Sequence, residues 1–136
     1  MCLWIDEDGE WEHLSSGYRK ARKDHTCTEC QRTIEPGERY WFDTMVEVGY
    51  GIRTEKMCAH CQGVIDVGIA LTGCHRSWWY GYVLDWLDES MGFVANVIRE
   101  HDLEPGATVR MLRFVALAKR GWRDESGELT PIPEAA

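Results

Sequence analysis

The sequence has no run of the ~18–20 consecutive apolar residues that a membrane-spanning helix requires. The segment Met1 to Asp6 also lacks the basic start and the apolar core of a secretion signal. We therefore expect a cytoplasmic protein without a membrane partner. Internal repeats and low-complexity stretches are missing too, and a chain of 136 residues is expected to form one domain.

Patterns typical of catalysis are also missing. The chain has no H-x-E element of a zinc deaminase, no Gly-rich phosphate loop and no Ser-His arrangement. A His-Asn-His nuclease built around two C-x-x-C pairs would need His and Asn between them, and residues 31–57 contain neither. We predict that the protein is not an enzyme and has no small-molecule substrate.

Basic residues are in deficit, with 15 Lys and Arg against 23 Asp and Glu and a formal net charge of −8. Such a protein repels nucleic acid on average. The positive charge is nevertheless concentrated in two places, the run Arg19, Lys20, Arg22 and Lys23 and the acid-free segment 106–122.

Cysteine, by contrast, is plentiful, and four of the six cysteines form two C-x-x-C pairs, Cys27 with Cys30 and Cys58 with Cys61. Two such pairs on either side of a loop-forming segment can deliver four thiolates to one tetrahedral Zn²⁺, and a closed sulfur set leaves no position for a substrate. We expect one structural zinc ion. A disulfide framework or a redox dithiol is the alternative, but C-x-x-C pairs in a cytosolic chain favour metal.

The remaining metal-binding residue types leave alternatives open. His25 and His60 flank the cysteine pairs, and either could replace a cysteine ligand. Cys2 and Cys74, with His75, could complete a second metal site. A buried thiol that packs as a small apolar side chain is the simpler interpretation of both cysteines.

The N-terminal pattern predicts a small hairpin. Residues 1–18 are expected to turn at Asp8-Gly9 and to end in a loop at Ser15-Ser16-Gly17.

Between the cysteine pairs, Pro36-Gly37 predicts a type II turn, and strands over 39–48 and 52–57 are expected to join at Gly49-Tyr50-Gly51. Apolar residues then follow helical spacing over 64–71, which places the second pair on the opening turn of a helix. Knuckle, hairpin and helix in this order make a treble clef. A zinc ribbon, the second choice, would have a strand after the second pair.

The C-terminal half is predicted to be helical before a loose tail. Helices are expected over 77–90, 93–101 and 108–120, the last with Val109, Leu112, Val115 and Ala116 facing inward. The predicted fold is thus α+β, with an N-terminal hairpin (1–18), a treble-clef zinc module (19–73), a Trp-rich helical part (74–123) and a loose tail (124–136).

Part of this pattern resembles a known family. The run from Lys20 to Lys23, His25, the two cysteine pairs, the segment from Arg32 to Tyr40 and Lys56 are similar to small treble-clef zinc proteins encoded by tailed bacteriophages and prophages. The resemblance covers residues 18–63. It implies a phage-type origin, intracellular action and the same zinc ligands, Cys27, Cys30, Cys58 and Cys61, but no reaction. The hairpin tip at 48–52 departs from the family pattern.

Seven Trp residues suit either a core or an interface. We take Tyr50, Trp78, Trp79 and Trp86 as candidate interface residues, with core packing as the simpler interpretation of most of the aromatics. The functional hypothesis is a phage-encoded accessory protein that binds and modulates a host protein, such as a defence or transcription component. Self-association is the other form of protein binding.

The alternative function is that of a regulatory zinc finger that binds nucleic acid. Arg19, Lys20, Arg22 and Lys23 would contact the phosphates. A solvated charged face, or pairing of these residues with the acidic N-terminus, is the simpler interpretation, and the net charge of −8 favours it.

Overall fold

The chain combines antiparallel β-sheet with helices, which makes it an α+β protein. The computed structural model describes residues 11–72 and 105–134. Within them the elements are β1 (Trp11–Lys20), β2 (His25–Thr26), β3 (Thr33–Ile34), β4 (Arg39–Glu47), β5 (Gly51–Cys58), α1 (Ala59–Thr72) and α2 (Pro105–Lys119). Neither α1 nor α2 combines the length and the hydrophobicity that crossing a membrane demands.

The β-hairpin predicted between the cysteine pairs is confirmed. It forms two strands of a three-stranded sheet in the order β1-β4-β5, while β2 and β3 make a separate ribbon. Glu47 of β4 lies opposite Gly51 of β5, so residues 48–50 form the loop. Gly49 and Gly51 have φ angles of 89° and 98°, which residues with a side chain rarely adopt. The two glycines therefore fix where the strands turn.

The predicted turn at Pro36-Gly37 is also confirmed. The amide of Glu38 donates to the carbonyl of Glu35 at 3.1 Å, and Gly37 has a φ of 93°. Two further backbone bonds tie this turn to the segment that follows β1, because Ala21 exchanges hydrogen bonds with Gly37 and Glu38 at 2.8 Å each.

The predicted loop at Ser15-Ser16-Gly17 is wrong. These residues lie inside β1, which pairs antiparallel with β4 from Trp11 to Lys20. The pairing of β1 with β4 contains a register shift between His13 and Ser15. Ser and Gly are weak strand formers, but a continuous partner strand outweighs local propensity. The turn expected at Asp8-Gly9 lies outside the described residues.

A helix, not the strand of a ribbon, follows the second cysteine pair. β5 ends at Cys58 and α1 begins at Ala59, so Cys61 lies in the first turn as expected. The predicted C-terminal helix is present as α2, but it begins at Pro105 and not at residue 108. Proline is favoured at the first helical position, because its fixed φ suits a helix and its missing N–H has no helical partner there.

The predicted inward face of α2 is wrong except at Val115. Met111, Val115 and Ala118 are buried, whereas Val109 is 57% and Leu112 is 37% exposed. Apolar residues occur on more than one side of this helix, so periodicity alone did not identify the face that packs.

One core cluster joins the sheet, both helices and the cysteine pairs. Ile34, Met57, Val64 and Trp122 are at most 1% exposed and lie at its centre. The helices expected over 77–90 and 93–101 lie outside the described residues, and so do the candidate interface residues Trp78, Trp79 and Trp86.

The tail expected to be loose is packed, at least as far as Pro133. Leu129 forms a β-bridge with Arg123, and the amide of Thr130 donates to the carbonyl of Trp122 at 2.8 Å. Pro133 is buried and lies against Gly63 of α1. This contact gives a structural reason for a glycine inside the helix, since a Cβ at position 63 would overlap the carbonyl oxygen of Pro133.

We expect Gly63→Ala to lower the free energy of unfolding by about 1–2 kcal/mol, because the clash with backbone outweighs the gain of roughly 1 kcal/mol in helix propensity. The matched control is Gly106→Ala in α2, where no atom lies within 4 Å of the new Cβ. It should leave stability unchanged or raise it. Denaturant unfolding of both variants makes the comparison, and equal effects would contradict the packing of the C-terminal segment on α1.

Candidate metal centre

The first cysteine pair sits on a tight backbone turn between β2 and β3. The amide of Cys27 donates to the carbonyl of Arg32 at 2.9 Å, and the amide of Gln31 donates to the carbonyl of Cys27 at 3.0 Å. Gln31 adopts a left-handed φ of 64°, which reverses the chain directly after Cys30. The amide of Thr28 donates to the carbonyl of Lys56 at 2.9 Å and so anchors the turn on β5.

The second pair spans the junction of β5 and α1. Cys58 is the last residue of the strand, and Cys61 is in the first helical turn. Backbone amides point at the sulfurs in this region: the amide of Cys58 donates to Sγ of Cys27 at 3.3 Å, and the amide of Cys61 donates to Sγ of Cys58 at 3.4 Å. Such N–H···S contacts favour the thiolate form over the thiol.

The four sulfurs converge as expected from the spacing. All of them lie within 4.8 Å of one another, and the sulfurs of Cys30 and Cys58 are 3.9 Å apart. A tetrahedral ion with Zn–S bonds of about 2.3 Å separates its ligand sulfurs by about 3.8 Å, so the cluster fits such an ion. A disulfide would need about 2.05 Å, and all four cysteines are free. The four residues could therefore hold a metal ion.

Protons are unevenly shared among the four thiols. Hydrogen bonds from Cys30, Cys58 and Cys61 lower the pKa of Cys27. Hydrogen bonding to Cys27 and Cys30 instead raises the pKa of Cys58. The pKa of Cys61 is raised by its three sulfur neighbours and further by burial.

This distribution follows chiefly from the hydrogen bonds within the cluster, in which Cys27 accepts from its sulfur neighbours. Several buried negative charges within 5 Å cannot coexist unless a cation compensates them. A divalent ion at the centre would let all four cysteines bind as thiolates.

Trp122 supplies a further N–H group to the sulfur cluster. Its indole Nε1 donates to Sγ of Cys61 at 3.3 Å, and the side chain is 0% exposed. The ring packs between His60 and Phe114, with centroid distances of 5.4 Å and 6.2 Å.

The end of α2 places this indole. The amide of Trp122 donates to the carbonyl of Leu117 at 2.8 Å, and both Gly121 and Trp122 are left-handed, with φ of 68° and 61°. A left-handed conformation costs a residue with a side chain roughly 1–2 kcal/mol, which burial of the indole offsets. Trp122 is not among the site residues predicted from the sequence. The sequence feature that could have identified Trp122 is an aromatic residue directly after a glycine at the end of a predicted helix.

His60 is not a ligand in this structure. It is 4% exposed, and its Nε2–H donates to the carbonyl of Thr130 at 2.6 Å. The proton on Nε2 leaves Nδ1 as an acceptor, and Arg32 donates to it at 3.4 Å. Burial lowers the pKa of His60 and keeps the ring neutral. Both ring nitrogens are thus used by protein partners.

Arg32 extends this contact to the Pro36-Gly37 turn. Its guanidinium makes two hydrogen bonds to the carboxylate of Glu38, at 2.9 Å and 3.2 Å. A continuous polar chain therefore runs from the turn through Arg32 and His60 to Thr130.

The other candidates lie apart from the sulfurs or outside the described residues. His25 accepts from the ammonium of Lys56 through Nδ1 at 3.2 Å and is not in the cluster. Cys2, Cys74 and His75 are not among the residues that the structure describes. Comparison of the chain with protein-family models, with curated proteins and with solved structures finds no match. The assignment of a metal site therefore rests on donor chemistry and geometry.

We expect Trp122→Phe to weaken Zn²⁺ binding by about tenfold, the low end of the effect seen when groups that hydrogen-bond to metal ligands are removed. The phenyl ring fills most of the same space but cannot donate to Cys61. Competition with a chromogenic chelator measures the affinity. Trp41→Phe is the control, because Trp41 lies on β4 with its ring on Tyr18 and should leave affinity unchanged. Equal zinc affinities of the two variants would contradict a role of Trp122 in the metal centre.

Proposed function

We propose that the four cysteines hold one structural Zn²⁺ in a treble-clef arrangement of knuckle, hairpin and helix. Three features support this assignment: soft thiolate donors, sulfur spacing that suits a tetrahedral ion, and three N–H groups directed at the sulfurs. When bound, the ion cross-links the turn after β2 to the start of α1. Cys27, Cys58 and Cys61 are at most 2% exposed, so the proposed role is structural.

Protein purified under reducing conditions should contain one zinc ion per chain by elemental analysis. Removal of the ion by a strong chelator should strongly reduce the near-UV circular dichroism of the buried aromatic side chains, Trp122 among them, because zinc binding and folding share one free energy. Affinity should fall between about pH 7.5 and about pH 5.5, since protons compete with zinc for the thiolates.

A chain without stoichiometric metal, or with an unchanged spectrum after chelation, would contradict the assignment. Cys30→Ser is a useful companion variant, because it removes the most exposed of the four sulfurs and should weaken zinc binding without emptying the core.

The proposed activity of this module is protein binding through the tip of the β4–β5 hairpin. The observation that carries it is the exposure of three large apolar side chains within five residues, with Val48 61%, Tyr50 85% and Ile52 73% exposed. Exposed apolar side chains are ordinary when scattered, but a cluster at the end of a hairpin is typical of an interaction site. Tyrosine is among the residues that contribute most to interface energies.

The hairpin holds these side chains in a defined position. The amide of Tyr50 donates to the carbonyl of Glu47 at 3.0 Å, and Thr44 and Thr54 share a hydrogen bond across the strands at 3.1 Å. A fixed loop loses little conformational entropy on binding, so its contacts convert more fully into affinity.

The net charge of the chain favours binding of a different protein at the hairpin tip over binding of a second copy. Each copy carries a formal net charge of −8, so two copies repel each other, whereas a partner that is basic or neutral around an apolar pocket does not. The resemblance to phage-encoded zinc proteins suggests which class this partner belongs to. We propose a bacterial host protein, such as a defence or transcription component, that the chain binds and modulates in the cytoplasm.

The double variant Tyr50→Ala with Ile52→Thr should lose the partner that the wild-type chain captures from bacterial lysate. The control variant Val109→Ala with Leu112→Ala removes apolar surface from α2 and should retain it. The captured protein is then purified and titrated, and we expect the tip variant to bind at least about thirtyfold more weakly, as for loss of an aromatic interface anchor of about 2–4 kcal/mol. Self-association of the wild type by light scattering, or equal binding by both variants, would contradict the proposal.

A further inference from the structure

A groove with positively charged walls lies at the end of β1, away from the hairpin tip. Its volume is about 890 Å³, and it is lined by Arg19, Lys20, Ala21, Arg22, Lys23, His25 and Tyr40. Four of these residues are cationic and none is acidic. In a chain with a net charge of −8, this is a local reversal of sign.

The cations of the groove are available to a ligand. Lys20, Arg22 and Lys23 are exposed and make no ion pair or side-chain hydrogen bond with any residue that the structure describes. The guanidinium of Arg19 lies 3.5 Å from the centroid of the Phe42 ring, a cation–π contact that orients it without neutralising its charge. Within residues 11–72 and 105–134 the charge of this run is therefore not neutralised, while the acidic N-terminal residues of the alternative interpretation lie outside the described residues.

Aromatic rings form the inner wall of the groove. The ring of His25 is half-buried and packs on Tyr40 with a centroid distance of 4.9 Å. Lys56 donates to Nδ1 of His25 at 3.2 Å and fixes the ring in place. Tyr40 is only 5% exposed, so the ring open to a base is that of His25. Single-stranded nucleic acid binds to such combinations of cations, which contact the backbone, and an accessible ring, on which a base stacks.

We propose that this groove binds the phosphodiester backbone of a single-stranded nucleic acid, with Arg19, Lys20, Arg22 and Lys23 supplying the phosphate contacts. The site is distinct from the hairpin tip and does not depend on it. A groove of about 890 Å³ is in the size range of small-ligand sites, roughly 300–1,000 Å³, and has room for a few nucleotides of one strand. A bilayer is flat and would meet the convex surfaces of a protein, which argues against anionic lipid as the ligand.

The test is fluorescence anisotropy of a labelled single-stranded oligonucleotide against the zinc-loaded full chain. If all four cations contact phosphates, the affinity of the wild type should fall about fiftyfold between roughly 50 mM and roughly 200 mM salt. For Arg22→Gln with Lys23→Gln, which keeps two contacts, the same change in salt should cost about sevenfold. Both substitutions are on exposed side chains, and unchanged zinc content and circular dichroism confirm that the variant folds.

The matched control is Arg113→Gln with Arg120→Gln on and after α2, which changes the net charge by the same amount at exposed positions. It should keep the fiftyfold salt dependence. Parallel titrations use a duplex of the same sequence and vesicles that contain anionic lipid, and both should bind more weakly than the single strand. No binding at low salt, equal loss in the two variants, or tighter binding of duplex or vesicles would each overturn the proposal.

Discussion

Convergence of four thiol groups is the constraint on which the rest of this structure depends. Sulfur atoms that lie within 4.8 Å of one another come from a turn after β2, the last residue of β5 and the first turn of α1. The turn after β2 is about thirty residues from the other two segments, which are adjacent in sequence. Sulfurs this close repel one another as thiolates, and the proposed central cation would compensate that charge and hold hairpin and helix in their relative positions.

The C-terminal segment closes the other side of this centre. Trp122 donates to Cys61, Thr130 accepts from His60, and Pro133 packs on Gly63. These three contacts all fall on the first two turns of α1, so the segment covers the part of the helix that carries the last sulfur. A residue that follows α2 thereby becomes part of the surroundings of the sulfur cluster, and the N- and C-terminal parts of the described chain share one core.

Local chemistry made part of this structure predictable. The C-x-x-C spacing identified the converging sulfurs, and Gly37, Gly49 and Gly51 marked turns because each has a φ that other residues rarely adopt. Features that depend on distant partners were not predictable. Ser15 to Gly17 form part of a strand only because they pair with β4. Helix α2 has apolar residues on several sides, and packing against the rest of the structure determines which side is buried. Trp122 reaches Cys61 across 61 positions of sequence, a distance that no local pattern encodes.

The two proposed binding surfaces lie at opposite ends of the β4–β5 hairpin, and the candidate metal centre lies at one of these ends. In β4, Tyr40 lies opposite Cys58 at the metal end, and Glu47 lies opposite Gly51 at the tip. The strand rise places these ends about 23 Å apart, at roughly 3.3 Å per residue. The basic groove adjoins the metal end, since His25 and Tyr40 line it and the chain continues from His25 to Cys27. The proposed ion would therefore act more directly on the groove than on the apolar tip, which the hydrogen bonds of the hairpin connect to the metal end.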